Sequence, residues 1–176
     1  GLTDLVNGGI MYAEHRKVDR LFGIAITLSF QRKTMIDRII CTVTVNDSRS
    51  SAEILAGMDR KQRVNDEVVR TMPKGETGQR AVIFFRIGAF AKFDAIDAAF
   101  DLRDLDPVDP HTLTALNEDD PAFADDYPNI TYWKDENGNL CYAGFVCWNH
   151  ERMVEVARSE GNGCDHFWWF GGVARK

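Results

Sequence analysis

The sequence predicts an α+β fold: a mainly antiparallel sheet of about five or six strands with helices packed mostly on one face. Three observations carry that expectation. Runs that alternate apolar and polar residues flank runs with helical apolar spacing. The strand-like runs come in adjacent pairs separated by short polar turns, as antiparallel hairpins require. Parallel crossover units are few, which sets the chain apart from doubly wound α/β folds.

In chain order, Leu21 to Phe30 alternates bulky Phe22, Ile24, Ile26, Leu28 and Phe30 with small Gly23, Ala25, Thr27 and Ser29, a strand with one bulky face. The polar turn after it leads into β-branched Ile36 to Val45, so these two runs are expected to pair as a hairpin. Ser50-Ser51-Ala52-Glu53 has capping-box spacing and Met72-Pro73-Lys74-Gly75 is a stop signal, which predicts one helix of about twenty residues between them. Arg80 to Phe90 is apolar on both faces and is expected to be the central strand. Asp94 to Leu105 reads as a helix, with a second short helix near His111 after Pro107 and Pro110. Ile130 to Trp133 and Leu140 to Trp148 flank Asn137-Gly138, the signature of a type I′ hairpin, in a register that sets Trp133 opposite Tyr142. Asn149-His150-Glu151 is expected to open a helix to about Ser159, and His166 to Phe170 to form a last aromatic strand.

At 176 residues, with 44% hydrophobic and 27% charged side chains, the chain has the composition of a globular protein. Nothing marks a domain boundary, so residues 1–176 are read as a single domain in which an acidic helix-loop segment, 94–127, is inserted between two antiparallel strand units. The longest nearly uncharged apolar run is about ten residues, short of the ~20 a membrane helix needs, so no membrane association is expected. No basic leader followed by an apolar stretch opens the chain, and the four cysteines are too few for a disulfide framework. These features predict reduced thiols in a cytoplasmic protein.

Charge is segregated. Between Asp94 and Tyr127 stand eleven acids against one base, Arg103, whereas the first 93 residues hold fifteen bases and ten acids. With a net charge of −6 overall, bulk attraction to nucleic acid or to an anionic membrane is excluded. One reading of the segment is a solvated helix face and loop. A sharper one is a partner surface made of Asp101, Asp104, Asp106, Asp109, Glu118, Asp119, Asp120, Asp125 and Asp126, with Phe123 and Tyr127 as aromatic anchors. Carboxylates a few ångströms apart imitate a run of phosphates, and such a surface would occupy the basic groove of a nucleic-acid enzyme. A divalent-cation loop is a third reading, but Pro121-Ala122-Phe123 sits where ligands would be needed.

A second constellation is Cys147-x-x-His150 followed by Cys164-x-His166. A strand-helix-strand unit would bring these four together as a zinc site, with Cys147 and His150 alternatively a thiolate-imidazole pair at a helix start. Buried thiols with surface histidines are the plainer reading. A third cluster is aromatic. Trp168, Trp169 and Phe170 cannot all face inward from one strand, so one ring there is expected at a helix layer, a homodimer contact or a partner interface. The expectation that results is a non-enzymatic, cofactor-free binding or inhibitory protein that uses an acidic surface. It would be a nucleic-acid mimic in the style of phage inhibitors of host nucleic-acid enzymes, its partner a protein with a basic surface. The alternative is a small enzyme or zinc-binding domain centred on the Cys/His cluster.

Overall fold

Backbone pairing in the computed structural model, which describes residues 38–176, brings ten strands and five helices into a mixed α/β arrangement. The expected strand at Leu21 to Phe30 and its hairpin partnership lie outside the described residues. The strands are β1 (Arg38–Val45), β2 (Lys61–Val64), β3 (Gly78–Arg86), β4 (Ala91–Lys92), β5 (Leu105–Pro107), β6 (Asn129–Lys134), β7 (Leu140–Trp148), β8 (Glu151–Arg158), β9 (Gly163–Cys164) and β10 (Trp169–Ala174). The helices are α1 (Ser51–Gly57), α2 (Asp66–Val69), α3 (Phe93–Asp101), α4 (Pro110–Asp119) and α5 (Phe123–Asp126).

Eight strands form one sheet in the order β1-β3-β10-β6-β7-β8-β2, with β5 paired to β10. This corrects the expected sheet twice. It is larger than five or six strands, and it is mixed: β10 runs parallel to β6 and β2 parallel to β8. The extra strands come from segments read otherwise in the sequence. β5 lies inside the acidic segment, which is therefore part of the sheet rather than a helix-loop insertion. β8 occupies the expected helix after Asn149, and β2 interrupts the expected helix from Ser50 to Met72.

Each reassignment has a local cause. Ser50 caps α1 and Glu53 closes the capping box, as its spacing predicts, but the apolar stripe lapses after Leu55. Lys61–Val64 then pairs with β8, and Asn65 restarts a helix by accepting the Glu67 and Val68 N–H groups. In Glu151–Arg158, Val154 and Val156 are fully buried between more exposed neighbours, a period of two that only a strand satisfies. Asn149 and His150 adopt φ of 51° and 65° between the paired Trp148 and Glu151. The tight turn with two left-handed residues is thus here, not at Asn137-Gly138. There Asn137 has ordinary φ, Gly138 alone is left-handed at 80°, and its N–H donates to Asp135 O at 2.9 Å. The Asp135 carboxylate accepts the Asn137 and Asn139 N–H groups, closing a longer loop. The register shifts by one as a result: Tyr132 faces Tyr142, and Trp133 faces Cys141.

The sheet carries a core on each face. On the first, Val43, Val82, Phe84, Phe145, Val154 and Trp169 pack under α1, α2, α4 and α5. On the second, Phe85, Ile130 and Phe170 pack under Ile96 and Phe100 of α3, with the small β4–β9 ladder beside them. α4 is buried over most of its length although much of it is polar. Its polar groups are paired inside: Asn117 and Asn129 exchange hydrogen bonds at 2.8 and 3.2 Å, and the Thr114 hydroxyl donates to Pro110 O. His111 is 1% exposed. Its Nε2 lies 3.2 Å from Asn46 O, which can only accept, so Nε2 carries a proton there, and Nδ1 lies 2.8 Å from the Ser51 hydroxyl. Among the described residues no helix is long and apolar enough to cross a membrane.

Candidate functional site

Folding divides the acidic segment rather than gathering it. Asp94, Asp97 and Asp101 ride on α3 over the second face, whereas Glu118 to Asp126 end α4 and form α5 over the first. Bases from distant parts of the chain neutralise several acids. Arg175 donates to Asp101 at 2.6 Å and to Asp106 at 2.9 Å. Arg49 grips both Glu118 oxygens at 2.7 Å. Arg152 forks onto Asp125 at 2.6 and 2.9 Å, which holds that carboxyl below its ordinary range. Two more acids have structural duties. Asp109 caps α4 by accepting the Thr112 N–H at 2.8 Å, and Asp97 accepts the Tyr132 hydroxyl at 2.6 Å.

Among the described residues Asp104, Asp119, Asp120 and Asp126 form no ion pair, and all four are exposed. Asp104 stands apart, in a left-handed turn after α3 with φ of 55°. The other three belong to one exposed turn from the end of α4 through α5. The placement of Asp119 and Asp120 runs against helix stability: the last turn of α4 holds no base, and these two carboxylates sit at the end where the backbone dipole is already negative.

The expected aromatic anchors are not on this surface. Phe123 is 8% exposed, its ring 5.0 Å from that of Phe84, because α5 turns it toward the sheet as part of the first core. Tyr127 is half-buried, edge-on to Trp169 at 5.4 Å. The three arginines that partner the acids lie outside the segment. Arg175 and Asp101 are 74 residues apart, and no local pattern announces such a pair.

The Cys/His constellation does not assemble. Its strand-helix-strand unit is replaced by the β7–β8 hairpin. Cys147 and His150 lie at the tip of that hairpin, whereas Cys164 is buried in β9 against Ala91 and His166 stacks edge-on with Phe167. Among the described residues no three His, Cys, Asp or Glu side chains converge to hold a metal ion. Burial pushes the Cys164 thiol up to about 11, the state of an inert, protonated sulfur. Cys147 and His150 both line a polar cleft of about 750 Å³ with Asp125, Arg60 and Arg152, with no hydrogen bond between Cys147 and His150. Arg60 donates to Pro121 O at 2.7 Å and lies over the Phe145 ring, tying α5 to the sheet. Of the three consecutive rings, Trp169 enters the first core, Phe170 the second, and Trp168 precedes the strand. The exposed tryptophan is Trp148, at 62%.

Comparisons with family models, with curated proteins and with solved structures find no match to this chain.

Proposed function

We propose that the protein acts by binding, without chemistry of its own, and that its contact surface is the acidic turn from Glu118 to Asp126. One observation carries the reading. Asp119, Asp120 and Asp126 are exposed and without ion pairs among the described residues, and the first two stand at the unfavourable end of a helix that is otherwise fixed in the core. Asp120 also accepts the Ala122 N–H, but stability does not account for Asp119, which costs a few tenths of a kcal/mol against the dipole. A rigid set of negative charges fits a partner with a basic surface, and the groove of a nucleic-acid enzyme is such a surface. The arginine-paired acids, Glu118 and Asp125, brace the turn rather than form its free charge.

Reversal of the free charges tests this reading: Asp119→Lys, Asp120→Lys and Asp126→Lys together. The circular dichroism spectrum is expected to stay the same, since exposed substitutions of this kind change stability by about 0.5 kcal/mol or less each. Proteins captured from a cell lysate by the parent are expected to be lost with the variant and to be eluted from the parent by duplex DNA. Capture that survives the reversal overturns the acidic surface. Capture that duplex DNA leaves in place overturns the mimicry of nucleic acid.

A further inference from the structure

The second face of the sheet is covered only in part. α3 lies over Phe85, Phe100 and Phe170, and beyond it, above β7 and β8, a cleft of about 640 Å³ opens to solvent. That volume lies within the ~300–1,000 Å³ of small-molecule sites. Four rings line it: Phe93 from the start of α3, Tyr142 from β7, and Phe167 and Trp168 from the segment between β9 and β10. The Trp168 wall depends on a glycine beneath it. A Cβ on Gly144 would come within 2.9 Å of the indole, so only a bare backbone lets that ring lie on β7.

The remaining lining is acidic. Glu155, Glu160 and Asp165 reach the cleft, and none of them forms an ion pair among the described residues. The one base on its rim, Arg158, is held elsewhere, 3.3 Å from Asp135 and 3.7 Å from Glu67. Arg63, the Cα partner of Glu155 on β2, makes no ion pair with it either. Burial first, and then the negative charge of Glu155, pushes the Tyr142 hydroxyl up to about 12, so this wall stays a neutral phenol at physiological pH. Ring faces carry negative quadrupole charge, and carboxylates at the rim add to it. Such a lining repels phosphates and carboxylates. It also lacks the converging oxygens that a bare metal ion requires, since no such group occurs among the described residues.

We infer that this cleft binds an organic cation, a guanidinium or alkylammonium group carried on a molecule of side-chain size. The site is separate from the acidic turn of α4 and α5, which lies on the other face, and it stands whether or not that turn binds a partner.

Titration with N-acetyl-argininamide, followed by tryptophan fluorescence, tests the inference. The expected result is a saturable change, with the neutral isostere N-acetyl-citrullinamide bound about tenfold more weakly. Free arginine separates two sources of the cation. Weaker binding of free arginine than of the blocked form assigns the site to an arginine borne on a polypeptide, and equal binding assigns it to a small metabolite; both retain the cation. Trp168→Phe is expected to keep binding and Trp168→Ala to lose it. The surface pair Glu155→Gln with Glu160→Gln, which leaves every ring in place, is expected to weaken argininamide about fivefold or more and citrullinamide hardly at all. Equal binding of the charged and neutral probes overturns the inference. So does the absence of saturation at millimolar argininamide, or a Gln pair that binds like the parent.

Discussion

The two faces of the central sheet are finished differently. The first is closed by four helices, and where polar groups are buried beneath them, partners are built in: His111 between Ser51 and Asn46, Asn117 against Asn129, and the Thr131 hydroxyl on Val108 O. The second is closed by α3 over only part of its width, and the rest is left to the rings of Tyr142, Phe167 and Trp168 and a set of carboxylates. The first face also carries the polar cleft beside Arg60 and Asp125, but its core is closed, whereas the second keeps rings and charges open to solvent. The difference places the denser packing on the first face and the open aromatic cleft on the second.

The largest test of that division is a pair of truncations. Phe145 is fully buried in the first core, and Phe145→Ala is expected to cost about 3–5 kcal/mol of unfolding free energy in chemical denaturation. Trp168→Ala, on the half-open side, is expected to cost less than half of that. Equal losses would break the comparison.

Alkaline pH probes the second face most strongly, although burial also raises the Cys41 and Cys141 thiols of the first core. Tyr132, Tyr142 and Cys164 all have pKa values raised by burial, Tyr142 to about 12 and Cys164 to about 11, from ordinary values of 10.0 and 9.0. An acid whose folded pKa is raised contributes stability in full below its unfolded pKa and loses it as pH climbs through the folded value. The melting temperature is therefore expected to fall between about pH 9 and 12, and Tyr142→Phe to flatten the fall. A decline that Tyr142→Phe leaves unchanged would move the alkaline sensitivity elsewhere.

The smallest effect is expected at the β7–β8 turn. His150 holds φ of 65°, where a Cβ is unfavourable, so His150→Gly should stabilise the protein by about 0.5–1 kcal/mol. A loss of stability instead would mean that the imidazole makes a contact the backbone strain offsets.

Much of the fold was legible in short-range chemistry. Ser50 with Glu53 and Asp109 with Pro110 mark real helix starts, and Arg80 to Phe90 contains an inner strand with both faces covered. The errors fall where two periods compete. Glu151–Arg158 follows polar residues that resemble a cap, and its alternation around Val154 and Val156 is the stronger signal. The Asn-Gly turn misled the register because the Asp135 carboxylate substitutes for backbone partners and lengthens the loop. Of the candidate site, the acidic segment was visible as a charge count, but not its division. Whether Asp101 or Glu118 remains free depends on Arg175 and Arg49, which lie 74 and 69 residues away in the sequence. The cleft on the second face draws one wall from α3 and the rest from β7, β8 and the segment before β10, so no single stretch of sequence carries it.

The strand that joins the two halves of the sheet is the last of the described strands in chain order. β10 hydrogen-bonds to β3 on one side and runs parallel to β6 on the other. Without Trp169–Ala174 the pairing within the large sheet, among the described strands, falls into two groups, β1 with β3 and β6 with β7, β8 and β2. Assembly of the whole sheet is therefore a closing event that needs this one segment, with the slow pairing of distant parts of the chain that such a topology entails. Loss of Trp169–Ala174 would leave the edges of β3 and β6 without the partner that joins them.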